Sequence, residues 1–368
     1  MKIQAAVFRD DLLQPKIETL DLQGPGPGEV LVRIVATGVC HTDMKSGSAG
    51  SPVPRPVVLG HEGAGVVQAV GAGVAKVAAG DHVVLTFGSC GHCRSCQEAH
   101  PAYCWSQAPL TFACTRADGS HYLTDEAGAA VHGDFFSQSS FASHAIARER
   151  NVVKVRKDAP LDLLGPLGCG VQTGAGAILN DFRLRPGASL AVFGAGALGL
   201  SAVMAARLAG AGRIVAIDRH PARLALALEL GADVGIAAGA EPVSEDVLRA
   251  APGGVDYALD TTGALPVMRQ ALAVLAPRGE CGFVTSPWDG AEMSLSVRHL
   301  LPGRKVRGII EGDSNPDVFI PQLVDFFMDG RFPFDKLVTF YPFADIAKAF
   351  HDSESGASVK PVLRIGAL

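Results

Sequence analysis

Ser189-Leu190-Ala191-Val192-Phe193-Gly194-Ala195-Gly196-Ala197-Leu198-Gly199 carries an apolar run straight into G-x-G-x-x-G. In a chain with 43 glycines that pattern alone says little. Its surroundings are specific. The apolar period changes at Gly194, so a strand leads in and the helix-like Ala197–Leu208 leads out. Ile214-Val215-Ala216-Ile217-Asp218 closes the next strand, and Asp218 lies 19 residues past Gly199. Such a strand–turn–helix holds a dinucleotide: glycines allow a tight turn and close approach of backbone to the pyrophosphate, at the positive end of a helix. Gly194, Gly196 and Gly199 are therefore candidate cofactor residues. Asp218 would accept hydrogen bonds from the adenosine ribose and repel a 2′-phosphate, which favours NAD over NADP, while the adjacent Arg219 pulls weakly the other way. A glycine-rich turn without a ligand is the bland alternative, and the flanking strand, helix and acidic residue argue against it.

Working outward from this stretch, strand and helix patterns alternate from about Gly170: a helix over 171–180, strands at 189–193, 213–217, 255–259, 280–284 and 306–310, and helices at 197–208, 221–230 and 265–275. That βαβ rhythm implies a mostly parallel sheet. The first third differs. Val30, Val32 and Ile34 alternate after the turn cluster Gly24-Pro25-Gly26-Pro27-Gly28, and short apolar runs recur at 64–70, 82–87, 143–147 and 151–155. Closely spaced turn signals suggest a barrel-like β domain. Residues 106–138 are polar, Gly-rich and without period, and read as a long excursion loop. The tail reads helix, helix, strand over 317–329, 343–352 and 360–365. The expected fold class is therefore α/β.

The 368 residues are too many for one typical core. The chain is 48% hydrophobic and 19% charged, with a net charge of −5 from scattered groups, so nothing points to nucleic acid or an anionic membrane surface. Met1 to Leu20 carries six charged residues and no apolar run, so a cytoplasmic location is expected. The uncharged window 186–206 is long enough to span a bilayer but holds four glycines, and strand, turn and helix explain it better.

Eight cysteines without an export signal favour metal or catalytic use over disulfides. Cys90, Cys93, Cys96 and Cys104 stand at C-x2-C-x2-C-x7-C. Four thiols at this spacing fit a closed, structural zinc site; an iron–sulfur cluster is the other candidate, but its bacterial spacing has a shorter last gap and a following proline. Cys114 and Cys281 have no partners at metal spacing and read as packed or free thiols.

Val39-Cys40-His41-Thr42-Asp43, Gly60-His61-Glu62-Gly63-Ala64-Gly65-Val66-Val67, the four-cysteine lobe, Gly168-Cys169-Gly170 and the G-x-G-x-x-G follow in one order. Two sulfurs and an imidazole are what a catalytic zinc with an open fourth position requires, although spacing cannot bring such distant residues together. In that order and those motifs the chain resembles the zinc-dependent medium-chain alcohol dehydrogenases over essentially its whole length. Phe136-Ser137-Gln138-Ser139-Ser140-Phe141-Ala142, the run 164–174 and Phe332-Pro333-Phe334-Asp335-Lys336-Leu337 make it most similar to the bacterial aryl-alcohol (benzyl alcohol) branch.

The resemblance implies a GroES-like β-barrel catalytic domain over 1–170, completed by 312–368, and a doubly wound Rossmann NAD-binding domain over 171–311. It implies two zinc ions per chain, one catalytic on Cys40, His61 and Cys169 and one structural on the cysteine lobe. Asp43 would orient His61, and Glu62 would lie near the metal and assist ligand exchange. Lys360 and His41 would contact the pyrophosphate, and Leu198 and Val284 would pack around the nicotinamide; plain core residues and a solvated lysine are the alternatives. Zinc would act as a Lewis acid on the alcohol, hydride would pass to nicotinamide, and Thr42 would take the alcohol proton. Many relatives end this relay in a histidine where this chain has Lys45. The implied substrates are small hydrophobic primary alcohols and their aldehydes, aryl or benzylic first and allylic or terpenoid such as geraniol second. A non-catalytic binding protein on the same scaffold is opposed by the intact set Cys40, Thr42, His61 and Cys169. A homotetramer is implied, with a dimer as the alternative.

Overall fold

The structure, a computed structural model, describes residues 1–10, 13–287 and 290–366. The chain begins with strands β1 Lys2–Phe8, β2 Lys16–Leu22, β3 Glu29–Gly38, β4 Val57–Val58, β5 Gly63–Val70, β6 His82–Leu85, β7 Leu123–Thr124, β8 Ala130–Val131, β9 His144–Arg148 and β10 Val152–Lys154. It continues with β11 Ser189–Phe193, β12 Arg213–Asp218, β13 Val234–Ala237, β14 Val255–Asp260, β15 Leu275–Phe283 and β16 Lys305–Gly308, and ends with β17 Val338–Pro342 and β18 Lys360–Arg364. Two compact units result: one of residues 1–169, 315–328 and 335–368, the other of 170–314 and 329–334. Gly170 and residues 312–314 and 329–334, expected in the first unit, pack with the second.

In the first unit β3 is the organising strand. It pairs antiparallel with β5, β9 and β18. Val30, Val32 and Ile34 enter one apolar cluster with Val67, Val83 and Leu85, while Leu31 faces another with Phe8, Phe141 and Phe350. Burial on both faces explains why the strand reads as a nearly continuous apolar run. Bulges at Leu31/Val32 and Ile34/Ala36 bend it, as closure of a barrel-like sheet requires. β1 and β2 were not read from the sequence, although Lys2-Ile3-Gln4-Ala5 and Leu20-Asp21-Leu22 alternate polar and apolar residues as a half-buried strand does; they pair within a separate five-stranded sheet.

The second unit is a six-stranded parallel sheet in the order β13-β12-β11-β14-β15-β16. Numbered within the unit this is 3-2-1-4-5-6, the doubly wound arrangement whose order reverses beside its first strand. The helices Ala197–Leu208, Pro221–Glu229, Ser244–Ala250 and Leu265–Ala273 connect the strands. The helix Gly170–Gly176 packs on Ala197–Leu208: a Cβ on Gly174 would stand 2.0 Å from the Leu198 carbonyl oxygen. It continues into a π-helical turn at Ala177–Asp181. Among the described residues no helix is long and apolar enough to cross a membrane, and the uncharged window 186–206 is resolved into β11, a turn and a helix.

Candidate active site

The glycine-rich turn leaves β11 at the sheet's switch point, and its three glycines have three different reasons. Gly194 has φ +96°, and a Cβ there would meet Thr261 Oγ1 at 2.5 Å. A Cβ on Gly199 would lie 1.8 Å from the Gly194 carbonyl oxygen, so only glycine lets the helix come this close to the strand. At Gly196 a Cβ would meet nothing within 4 Å. Its backbone faces open space, which is the cradle a pyrophosphate needs. Asp218, at the end of β12, is buried and held by two backbone donors: Ala195 N–H at 2.7 Å and His220 N–H at 2.8 Å. Its carboxylate is thereby tied to the turn itself. Arg219 is exposed and donates from Nε to His220 Nε2 at 3.2 Å. Leu198 sits half-buried in the first helical turn, and Val284 follows the carboxyl end of β15.

In the first unit, residues 129 positions apart in sequence converge. One ligand atom from each of Cys40, His61, Glu62 and Cys169 lies within 4.8 Å of every other. His61 is the best-determined member. Its Nδ1 is 2.8 Å from Asp43 Oδ1, and the same carboxylate accepts the Cys40 N–H at 3.0 Å and the Gly60 N–H at 3.2 Å. Asp43 thus fixes the imidazole and both ligand-bearing segments at once. Asp43 can do so because it sits at the third position of the short helix His41–Gly47, where a carboxylate reaches back to the N–H preceding the helix. The other ring nitrogen, Nε2, is buried without a hydrogen-bond partner. A buried unpaired nitrogen facing two sulfurs is explained by a metal. The Cys40 thiol is held well below the ordinary range, chiefly by its hydrogen bond with Cys169 and, against burial, by the charges of His61 and Lys360.

Glu62 and Lys360 form a buried ion pair. Lys360 Nζ lies 2.9 Å from both carboxylate oxygens and donates to the Val39 carbonyl at 3.1 Å, and its residue is only 3% exposed. Burial pushes the Glu62 carboxyl up to about 7, and Lys360 opposes that shift. The solvated-lysine reading of Lys360 is overturned. The ammonium's described partners are both Glu62 carboxylate oxygens and the Val39 carbonyl, so here it neutralises Glu62 beside the metal ligands. Gly38 is required here, because a Cβ would stand 2.0 Å from Glu62 Oε2.

Sequence reasoning missed what backs His61. The end of the supposed excursion loop turns inward: Phe136 stacks on the imidazole at 4.3 Å, and Phe135 meets it edge-on at 5.7 Å. Buried Gln138 donates to the His61 and Thr86 carbonyls and accepts the Gly63 N–H. Phe136, Ser137 and Ser139 have φ of 51°, 57° and 53°, left-handed positions on either side of Gln138 (φ −151°) that these contacts hold in place. The motif Phe136-Ser137-Gln138 was visible, but nothing in it says which face it turns to the histidine. His41 and Lys45 are exposed on the helix His41–Gly47, Thr42 is half-buried, and burial of part of the Lys45 side chain lowers its pKa.

The four lobe cysteines also converge, with all sulfurs within 4.8 Å and Cys90 Sγ 4.0 Å from Cys96 Sγ. Zinc–sulfur bonds of about 2.3 Å in a tetrahedron put sulfurs about 3.8 Å apart, so the set fits zinc without rearrangement. Backbone N–H groups of Cys90, Cys93 and Ser106 point at Cys104 and Cys90 sulfurs, as suits thiolates. Cys114 and Cys281 are buried, and burial raises both thiols, Cys114 to about 12.

Residues 26–157 match the alcohol dehydrogenase GroES-like domain, and residues 197–328 match the zinc-binding dehydrogenase family. A geraniol dehydrogenase of Castellaniella defragrans is 48% identical over 363 residues, covering 98% of this chain and 97% of the relative. The chain belongs to the zinc-binding medium-chain alcohol dehydrogenases. Two crystal structures are similar to this dehydrogenase along its whole length. An alcohol dehydrogenase zinc-binding domain protein from Burkholderia ambifaria superposes with a TM-score of 0.98 at 53% identity, and benzyl alcohol dehydrogenase from Acinetobacter calcoaceticus with 0.96 at 42%, each covering 100% of both chains. The family uses NAD and zinc, and the dehydrogenase presents a ligand set for each of two zinc ions and a dinucleotide turn.

Proposed function

We propose that the dehydrogenase oxidises hydrophobic primary alcohols, aryl or benzylic first, to aldehydes with NAD, reversibly. The observation that carries this reading is the meeting of Cys40, His61 and Cys169 around a buried, unpartnered His61 Nε2. When bound, zinc supplies Lewis acidity toward the alcohol oxygen, and the nicotinamide accepts hydride. The chain's own residues do the rest. Cys40, His61 and Cys169 hold the metal, Asp43 keeps the imidazole in the ligating orientation, and Glu62 with Lys360 sets the charge behind it. Thr42 Oγ1 takes the alcohol proton and hands it toward solvent, through His41, water or Lys45.

An aryl substrate is supported by the likeness to benzyl alcohol dehydrogenase, whose 42% identity extends over the full chain. Allylic alcohols of the geraniol type form the second reading, supported by the 48% identity to geraniol dehydrogenase. Both classes place a π system next to the carbinol carbon, which stabilises the developing carbonyl. The test is an NAD-linked absorbance assay over benzyl, cinnamyl, geranyl, short aliphatic and polyol alcohols, repeated with NADP. The expected result is highest kcat/KM on benzyl or geranyl alcohol with NAD. Activity confined to polyols or to NADP would sink the reading.

A homotetramer, with a dimer as the alternative, is the proposed assembly. β16 is hydrogen-bonded along one edge only among the described strands, and Val297 and Leu301 near it are 71% and 77% exposed. An unpaired edge beside exposed apolar side chains favours self-association. Light scattering on the purified protein measures the state directly.

A further inference from the structure

Beyond β16 the backbone does something unusual. Glu311, Gly312 and Asp313 have φ of 48°, 64° and 47°, three consecutive residues in the left-handed region, two of them with side chains. Such strain persists only where surrounding contacts over-determine it, and it gathers at ligand clamps. Here the contacts are those of the helix Gly170–Gly176. A Cβ on Gly312 would stand 2.6 Å from the Gln172 carbonyl oxygen and 2.7 Å from Gly176 Cα. Thr173 Oγ1 donates to Glu311 Oε2 at 3.2 Å.

The position is informative. Glu311 follows β16 at the carboxyl edge of the parallel sheet, the edge on which doubly wound folds bind ligands. Its partner Thr173 is the neighbour of Gly174, which packs against the Leu198 carbonyl in the first turn of the dinucleotide helix. The loop and the first turn of the dinucleotide helix thus both pack on the helix Gly170–Gly176, at different faces of it. The Ile309 N–H donates to the Phe283 carbonyl at 2.9 Å, so the strained loop holds a half-buried carboxylate at the carboxyl edge of the sheet, two residues beyond the backbone that pairs beside Val284.

We propose that Glu311 discriminates between the oxidation states of the cofactor, binding NAD+ in preference to NADH. The inference rests on Leu198 marking the nicotinamide end of the site. A carboxylate there attracts the pyridinium ring of NAD+ and has no charge to meet in the neutral dihydropyridine ring of NADH. Thr173, by holding one carboxylate oxygen, keeps the charge in place. The consequence is directional: the site loads oxidised cofactor and releases reduced cofactor, which favours turnover from alcohol to aldehyde.

The test titrates both cofactors into the purified zinc-loaded enzyme, following NADH fluorescence directly and NAD+ by calorimetry. Glu311→Gln is expected to weaken NAD+ about five-fold while NADH changes less than about two-fold, an effect the size of a partly solvated charge pair. Glu311→Asp, which keeps the charge, is expected to restore most of the preference and shows that the variant site is folded. Equal weakening of both cofactors, or no change in either, would overturn the proposal and leave the loop a structural support. Wild-type protein that binds neither cofactor would instead overturn the reading of the dinucleotide site.

Discussion

His61 is the residue on which the first unit's chemistry converges, and its neighbours divide the work between orienting and neutralising. Thr42 and Lys45 lie on the same short helix, yet only the hydroxyl sits two residues from a metal ligand and is half-buried. Thr42→Ala is therefore expected to lower kcat by roughly 100-fold or more with zinc content unchanged, the scale of a lost proton-transfer group. Lys45→Ala is expected to stay within about three-fold, because an exposed lysine is readily replaced by water as the exit for the proton. A collapse of kcat in the lysine variant would reverse the assignment. Lys360 makes a different claim. Lys360→Met leaves Glu62 buried without a cation, a loss of about 3–5 kcal/mol, or roughly 10 °C in the thermal midpoint of its unit. Adding Glu62→Gln should recover more than half of that loss. A midpoint within about 2 °C of wild type for the single variant would show that the pair contributes little.

At the scale of elements, the cysteine lobe and the turn behind His61 are segments with little regular structure that are fixed by other means. The lobe has a four-residue helix, Arg94–Gln97, none of whose residues is buried, so four sulfurs on one ion must supply much of what fixes it. Cys96→Ser is expected to reduce the metal content from two zinc to one and to expose 90–112 to proteolysis, with activity per folded molecule retained at first. Loss of both ions together would mean that the two sites are not independent. The turn at 135–139 shows why part of the site was illegible. The ligands were readable because chemistry demands cysteine and histidine by type. Phe136 and Gln138 act through direction alone, and direction is set by left-handed backbone at Phe136, Ser137 and Ser139 that the sequence does not advertise, since none of them is glycine. β11 and the helix Ala197–Leu208 fell where the periodicity put them because their burial is regular; β17 and β13, short and half-exposed, carry no such period.

Across the whole molecule, long-range ion pairs give stability a pH dependence whose sign can be worked out. Glu29, at the start of β3, accepts from Arg116 Nε at 2.7 Å, from its second nitrogen at 2.8 Å, and from the Gly26 N–H at 2.7 Å. Burial pushes its pKa up, but Arg116 and Gly26 outweigh burial and hold it below the usual value. A carboxyl that releases its proton more easily when folded stabilises above its unfolded value, near 4.5, and loses that contribution as pH falls through the folded one. Glu29→Gln is therefore expected to cost about 1 kcal/mol at pH 7, with the gap to wild type closing below about pH 4. A gap that persists in acid would trace the loss to packing instead. Pairs of this kind were beyond the sequence. Glu29 and Arg116 are 87 residues apart, and Glu62 and Lys360 are 298 apart, so only the closed sheet identifies them as partners.

That last separation has a consequence for biosynthesis. β18 carries Lys360, and it is also the strand that covers β3 at Ala36, Thr37 and Gly38, beside Cys40. A ribosome makes Lys360 298 residues after Glu62. While the nascent chain grows, the cysteine lobe and the whole parallel sheet can form, but the corner around Glu62 stays open and its carboxylate has no counter-ion. A chain truncated before residue 360 is expected to lack both that counter-ion and the strand covering β3 beside Cys40, and to be cleaved by added protease faster than the full chain.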